Sequence, residues 1–408
     1  AQYTVKVDGV QVGGTQTAVA LRGSGVQDTL TVLGNWASGT RTATIEFLND
    51  AYGGSASADR NLYLEGATFN GAAVAIADPW VPDGGMSFAF TKAGTEPAPQ
   101  PTTGKVIMGI YRGNNTSDLV TWENFVGNGK RAEAVLTYTG NADWSNCDPG
   151  WQIGSSQFVG GSGRQALWSI PNFPQNDYMN QMRQAANGQH DARYTDWATK
   201  ILNATPGTRD IHVRTCWELG GEWFWWTQAA KADPTAFIGA FRRFSDRLHA
   251  VSPRFKIAFD WVPDRGKIEQ WYPGDAYVDV VSQDVYWHVA YNGGDPDLAF
   301  RRSDTGQNPD GGFSVDWRGL AWMKQFARDR GKPMAIPEFG VPGAAGNTYN
   351  GRRYIQLMRD WCAANRVLYL VYWDSDAGGY SGLLSDGSPA DTAAAIRELY
   401  TNGIPWTA

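Results

Sequence analysis

The run Ile211-His212-Val213-Arg214-Thr215-Cys216-Trp217-Glu218-Leu219-Gly220-Gly221-Glu222-Trp223-Phe224-Trp225-Trp226 decides how this chain is read. It begins apolar and β-branched, stops at two glycines, and continues into four bulky aromatic residues. A buried strand ending at a glycine pair exposes whatever its carboxyl end carries. Here that is Glu218, beside a wall of indoles. A carboxyl group moves a proton, and indole faces stack on the apolar faces of pyranose rings.

Outward from that run, residues 105–408 alternate apolar strands with amphipathic helical stretches. Strands are expected at Val106–Tyr111, Ala132–Tyr138, Gln165–Pro171, Asp210–Cys216, Lys256–Trp261, Val278–Tyr286, Pro333–Ile336 and Val367–Trp373. Helices are expected at Tyr178–Ala186, Asp191–Asn203, Pro234–Val251, Trp317–Arg330, Gly351–Asn365 and Ala390–Thr401. Pro234 after Asp233 is a helix-start signal. Eight β-then-α units of this size predict a (β/α)8 TIM barrel of class α/β.

Residues 1–94 read differently. Tyr3–Val7, Ala18–Leu21, Leu30–Leu33, Thr42–Phe47 and Asn61–Leu64 are short alternating segments between Gly, Asn, Asp and Ser. They predict a small all-β sandwich. Between the domains, residues 95–104 hold three prolines and form an extended linker.

Composition narrows the function. A net charge of −6 gives no reason to expect nucleic acid or anionic lipid as a partner. No apolar run reaches the roughly 20 residues that span a bilayer, and the start Ala1-Gln2 resembles a mature secreted product. The 19 tryptophans suit a polysaccharide-handling protein as well as a large aromatic core. Cys147, Cys216 and Cys362 cannot all pair; Cys216 and Cys362 read as core thiols, and no zinc spacing is present. His190 and His249 fall on helix surfaces and His212 within a strand as a core residue.

In a barrel of this kind, reactive groups sit at the carboxyl ends of the strands. Glu218 closes the fourth expected strand. Glu338, in Met334-Ala335-Ile336-Pro337-Glu338-Phe339-Gly340, closes the seventh. Three barrel units separate them, so they face each other across the mouth. Two carboxyl groups roughly 5–5.5 Å apart suit retaining glycoside hydrolysis, one as acid/base and one as nucleophile. Either glutamate alone reads equally well as a solvated loop acid. Glu222 lies nearby but past the glycines, where a surface role fits better. Asp260, Trp261, Asp264 and Arg265 after the fifth strand, and Asp284, Trp287 and His288 after the sixth, suit sugar contacts or barrel-top packing equally.

Arg214–Gly221 with Trp223–Trp226 resembles the acid/base segment of glycoside hydrolase family 26, the β-mannanase family. Trp271–Val281 with Asp284-Val285-Tyr286 resembles its sixth-strand segment, and Ile336–Gly340 its nucleophile segment. The resemblance implies Glu218 as acid/base, Glu338 as nucleophile, Tyr286 donating to the nucleophile, and Trp373 flooring the sugar subsite. Trp217, Trp223, Trp226, Trp261 and Trp287 are further candidate substrate contacts. The family usually places His before the acid/base and Asn two residues after it; this chain has Trp217 and Gly220. Those are sugar contacts, so β-mannan is the first substrate and β-1,3-xylan, β-glucan or a bacterial exopolysaccharide the alternatives.

Residues 7–17, 47–54 and 59–63 resemble carbohydrate-binding module family 60, which implies a calcium-dependent glycan site. Asp50, Asp59 and Asp83 are the candidate ligands, with Trp80 beside them. The combined expectation is a secreted, monomeric, endo-acting hydrolase needing no cofactor for catalysis. The rival is a glycan-binding protein with a degenerate barrel.

Overall fold

The computed structural model describes residues 1–32, 36, 39–55, 59–69, 72–92, 104–155, 163–263, 266–306, 317–343 and 348–407. The chain divides into two compact units, the first ending at Ala98.

In the first unit, β1 (Gln2–Val7), β2 (Val10–Gln11), β3 (Gln16–Thr17) and β4 (Gly39–Phe47) pair antiparallel, and β11 (Met86–Lys92) borders β4. Three two-stranded pairs complete the unit. They are β5 (Ala51–Tyr52) with β6 (Asp59–Arg60), β7 (Leu62–Tyr63) with β10 (Trp80–Val81), and β8 (Ala67–Phe69) with β9 (Ala72–Val74). Alternation works as expected in β4: Ala43, Ile45 and Phe47 are buried and their neighbours are not. Val5, Ile45 and Phe47 pack against Leu62 and Val81, which makes a two-layered all-β unit. The strand expected at Ala18–Leu21 is displaced to Gln16–Thr17. Asp28 is the cause, since its Oδ2 accepts from the backbone N–H groups of Val19 and Ala20 at 2.7 and 2.9 Å and removes them from a ladder. Leu30–Val32 form no strand. Leu33, residues 95–103 of the expected linker, Asp264 and Arg265 lie outside the described residues.

The second unit is a closed parallel barrel. Its strands are β12 (Lys105–Tyr111), β13 (Ala134–Tyr138), β14 (Gln165–Ser169), β15 (Ile211–Arg214), β16 (Phe255–Trp261), β17 (Val280–Gln283) continued by β18 (Val285–Tyr286), β19 (Met334–Gly340) and β20 (Tyr369–Trp373), which returns to β12. The eight-stranded expectation holds, with the sixth strand interrupted at Asp284. The expected helices appear within three residues at each end, including the eighteen-residue helix Pro234–Val251, whose cap Asp233 accepts from Ala236 N at 3.1 Å.

Strand period decides what each residue faces. Ala134, Leu136, Leu167, Ala258, Val280, Ala335, Tyr369 and Val371 fill the interior. Their sequence neighbours Val135, Trp168, Ile257, Phe259, Val281 and Ile336 pack outward against the helices. Continued to the strand tips, the inward set becomes Tyr138, Ser169, Arg214, Asp260, Ser282, Asp284, Tyr286 and Trp373. Glu338 belongs to this set only because the register shifts between Ile336 and Phe339. Without that bulge, Glu338 would share the outward face of Ile336. An extra residue re-aims a side chain in this way, and Pro337, having no N–H to contribute to a ladder, suits the irregular position.

Candidate active site

The fourth strand is shorter than its sequence suggests. It ends at Arg214, and Cys216 and Glu218 both adopt positive φ, at 48° and 51°. Non-glycine residues reach this region at a cost, so the surroundings must fix it. Asp260 supplies that constraint. Its Oδ1 accepts from Glu218 N at 2.9 Å, its carbonyl accepts from Leu219 N at 3.3 Å, and its Oδ2 takes the Ser282 hydroxyl at 2.6 Å. The turn thereby lifts Glu218 to the barrel mouth.

Arg214 is the hub beneath it, 2% exposed. Its Nε donates to Ser169 Oγ at 2.7 Å, and its Nη1 donates to both oxygens of Asp284 at 2.7 and 2.9 Å. Its Nη2 donates to Tyr138 Oη and to Glu338 Oε1. Tyr138 in turn donates to Glu338 Oε1, and Tyr286 donates to Glu338 Oε2. Both oxygens of Glu338 are therefore held as acceptors. One oxygen each of Glu218, Asp284 and Glu338 lie within 4.8 Å of one another, the only such acid cluster among the described residues. Arg214 supplies the balancing positive charge.

The two glutamates part company electrostatically. Burial pushes the Glu218 carboxyl up to about 8, aided by the negative charge of Glu338. Burial acts on Glu338 too, but the Arg214 guanidinium and the hydroxyls of Tyr138 and Tyr286 outweigh it and hold that carboxyl below the ordinary value. One environment favours a protonated acid and the other a carboxylate.

Residues 177–297, which include Glu218 and Tyr286 but stop before Glu338, match glycosyl hydrolase family 26. The chain carries a family 26 glycosyl hydrolase domain. Residues 1–79 match carbohydrate-binding module family 60, described as Ca-dependent and xylan-binding. A mannan endo-1,4-β-mannosidase A and B of Caldalkalibacillus mannanilyticus is 25% identical over 171 residues, 40% of this chain and 28% of the relative. A mannan endo-1,4-β-mannosidase of Bifidobacterium adolescentis is 24% identical over 182 residues, 41% of this chain and 17% of the relative. The chain thus spans under a third of either relative's length. The catalytic domain of a Bacillus sp. JAMB-750 GH26 endo-β-1,4-mannanase shares the barrel fold with TM-score 0.50 and 18% identity, over 73% of this chain and 86% of that one.

Of the aromatic residues expected at the substrate, the family 26 barrel leaves two at its mouth. Trp223 is 64% exposed, and its Nε1 donates to Glu218 Oε2 at 2.8 Å. Gly221 makes room for that indole, since a Cβ there would come within 2.6 Å of the ring. Trp373 stacks on Tyr111, with ring centroids 4.2 Å apart, and its Nε1 has no partner among the described residues.

The others are corrections. Trp226, Trp261 and Trp287 are completely buried, and each indole N–H is used by a backbone carbonyl, of Trp217, Arg318 and Gly293 respectively. Trp261 and Trp287 fall on the outward parity of their strands, which removes them from the cleft. Trp217 is also buried, with its ring edge-on to Tyr138 and near the Arg214 guanidinium, so it supports the site from behind. Glu222 is a solvated loop acid paired with Lys231. His288 packs among Tyr286, Tyr291 and Tyr380. His212 is a core residue, its ring edge-on to Tyr369 and its pKa lowered to about 4 by burial. Arg214 and Tyr138 went unremarked in the sequence, although strand alternation places both on the inward face.

The calcium expectation is corrected in part. Asp50, Asp59 and Asp83 do not form a three-acid cluster, none besides the barrel's being found among the described residues. Asp50 directly precedes β5 and Asp59 opens β6, where it pairs across the ladder with Tyr52. Both are exposed, and Asp59 Oδ2 accepts from Asn61 Nδ2 at 2.8 Å. Two hard carboxylate donors at one hairpin suit Ca²⁺. Asp83 instead lies in the turn after β10.

If Glu218 must hold a proton and Glu338 must be ionised, kcat/KM has a bell-shaped pH profile with its alkaline limb near 8. The indole N–H of Trp223 stabilises the ionised form of Glu218. Trp223→Phe is therefore expected to raise the alkaline pKa, and a limb that stays put or moves down contradicts this arrangement.

Proposed function

We propose that this protein is a retaining, endo-acting glycoside hydrolase of β-linked polysaccharides, anchored to its substrate by the amino-terminal module. The observation carrying the reading is the pair Glu218 and Glu338. They approach within 4.8 Å, one environment favouring the protonated acid and the other the anion. That spacing suits double displacement, since inverting enzymes hold their carboxyl groups roughly 6.5–9.5 Å apart to admit a water. Glu338 attacks the anomeric carbon while Glu218 protonates the departing oxygen. Glu218 then deprotonates the water that releases the glycosyl-enzyme. Trp373 floors the subsite beside the scissile bond and offers its indole N–H to a sugar hydroxyl.

β-Mannan is the first substrate to test, as the two curated relatives are mannan endo-1,4-β-mannosidases. β-1,3-Xylan, β-glucan and bacterial exopolysaccharides follow, because Trp217 and Gly220 stand where the family's sugar-contacting His and Asn are expected. The protein acts outside the cytoplasm as a monomer, with no cofactor for the chemistry. Asp50 and Asp59 would hold a Ca²⁺ ion in the amino-terminal module, where it would supply coordination positions for vicinal sugar hydroxyls.

Two measurements test this. Glu218→Gln should cut reducing-sugar release by about 10²–10⁴-fold while binding persists. If the parent releases no sugar from any of these glycans yet binds them, the chain is a binding protein. Chelation of calcium should strip the full chain from insoluble glycan but leave cleavage of short soluble oligosaccharides intact, and chelator-insensitive retention removes the metal from the account. Anchoring raises local substrate concentration without new contacts at the cleft.

A further inference from the structure

A second cavity opens beyond the carboxyl end of β13, on the face of the barrel that carries Glu218 and Glu338. Its volume is about 710 Å³, and Trp144, Asn146, Asp148, Trp151, Gln152 and Arg193 line it. That is ample for a sugar residue, since ligand pockets run from about 300 to 1,000 Å³. It is tied to the acid pair through one residue: Gln152 Nε2 donates to Tyr138 O at 2.7 Å, and Tyr138 Oη donates to Glu338.

Three features have no structural use among the described residues. Trp151, in the short helix Gly150–Gly154, is 62% exposed. Gln152 is buried, yet its Oε1 accepts no hydrogen bond. The Arg193 guanidinium lies over the Trp144 ring, 4.8 Å from its centroid, and meets no carboxylate. Its chain neighbours Arg164 and Arg183 are each paired, with Glu123 at 2.7 Å and Asp233 at 3.0 Å. Asp148, the one acid in the lining, is already met by Lys200 at 2.7 Å and by Gly150 N at 2.8 Å, so it does not answer Arg193.

We propose that this cavity is a glycan subsite for a sugar unit bearing a carboxylate. The Trp151 indole covers the apolar face of the ring, Gln152 Oε1 accepts from a hydroxyl, and the Arg193 fork takes the carboxylate. The inference rests on the hydrolase reading for its biological sense, because the carboxylate would belong to the glycan being cut. It extends that reading to acid-decorated polysaccharides.

The test reads binding alone. The full chain, ¹⁵N-labelled, is titrated with methyl β-D-glucuronide and with methyl β-D-glucoside, and the indole N–H resonance of Trp151, assigned through Trp151→Phe, is followed. The glucuronide should shift that resonance and bind about tenfold tighter than the glucoside. The preference should fade at roughly 1 M salt, where the screening length is about 3 Å. It should vanish in Arg193→Met and return in part in Arg193→Lys, with the melting temperature of each variant confirming its fold. Equal binding of the two glycosides, no response at Trp151, or a preference that survives Arg193→Met overturns the proposal. A chain that prefers the glucuronide but cleaves no glycan keeps this subsite and loses the hydrolase reading. One that cleaves glycan without the preference does the reverse.

Discussion

Glu338→Ala is expected to lower kcat/KM by on the order of 10⁴-fold, the larger of the two single-acid losses. The group removed is the one that forms the bond to the anomeric carbon, and nothing else at the mouth can replace it. Asp284 is within 4.8 Å but has both oxygens committed to Arg214. The variant should still fold, because the lost carboxylate leaves a small polar gap rather than an unpaired buried anion. That gap keeps the donors Arg214, Tyr138 and Tyr286, so it is an anion pocket. Millimolar azide should enter it, attack the sugar, and restore part of the rate on an activated aryl glycoside, giving a glycosyl azide of inverted configuration. The parent should give product of retained configuration, read by proton NMR of the first anomer released. Activity within about tenfold of the parent, or an inverted first product from the parent, would remove Glu338 as nucleophile.

The barrel was legible because its signal is redundant. Each strand is an apolar run bounded by turn residues, and eight in sequence leave few alternatives. The acid pair was legible for the same reason, each glutamate following such a run. The sequence read less well where a single strand's geometry mattered. Gly220-Gly221 marked the end of the fourth segment, but the chain leaves the ladder at Arg214, because Cys216 and Glu218 turn to positive φ under the hold of Asp260. Pro337 suggested that the seventh strand stops at Ile336, yet the strand runs to Gly340 and uses the proline at a bulge. Tryptophan count misled most. An indole beside a catalytic segment looks like a sugar platform, but Trp226, Trp261 and Trp287 are core residues. Parity within β16 would have excluded Trp261, and the same parity would have found Tyr138 and Arg214. In the amino-terminal unit the ladder is sparse, and local hydrogen bonds such as those to Asp28 override alternation.

Arg214→Met should damage stability and chemistry together, and the two losses should track pH in a defined direction. Arg214 is the shared partner of Glu338, Asp284, Tyr138 and Ser169, at 2% exposure. Methionine restores most of the volume but none of the charge. Removing one partner from a buried ionic network costs on the order of 3–5 kcal/mol, a fall in Tm of roughly 10 °C. The native state can relieve that cost only by protonating Glu338 or Asp284. Native pKa values then rise above unfolded ones, so the folded variant binds more protons than the unfolded chain and its stability falls as pH rises through those values. The deficit relative to the parent should accordingly be smaller at acidic pH than at pH 8. In the parent, Arg214 helps hold Glu338 below its ordinary pKa, so the acid limb of kcat/KM lies low. In the variant that limb should move up while the alkaline limb, set by Glu218, moves much less. Tyr286→Phe removes a single hydrogen bond to Glu338 and should shift the same limb in the same direction by less. A melting deficit of equal size at both pH values, or an acid limb that stays in place, would show that Arg214 packs the barrel mouth without setting the charge of the nucleophile.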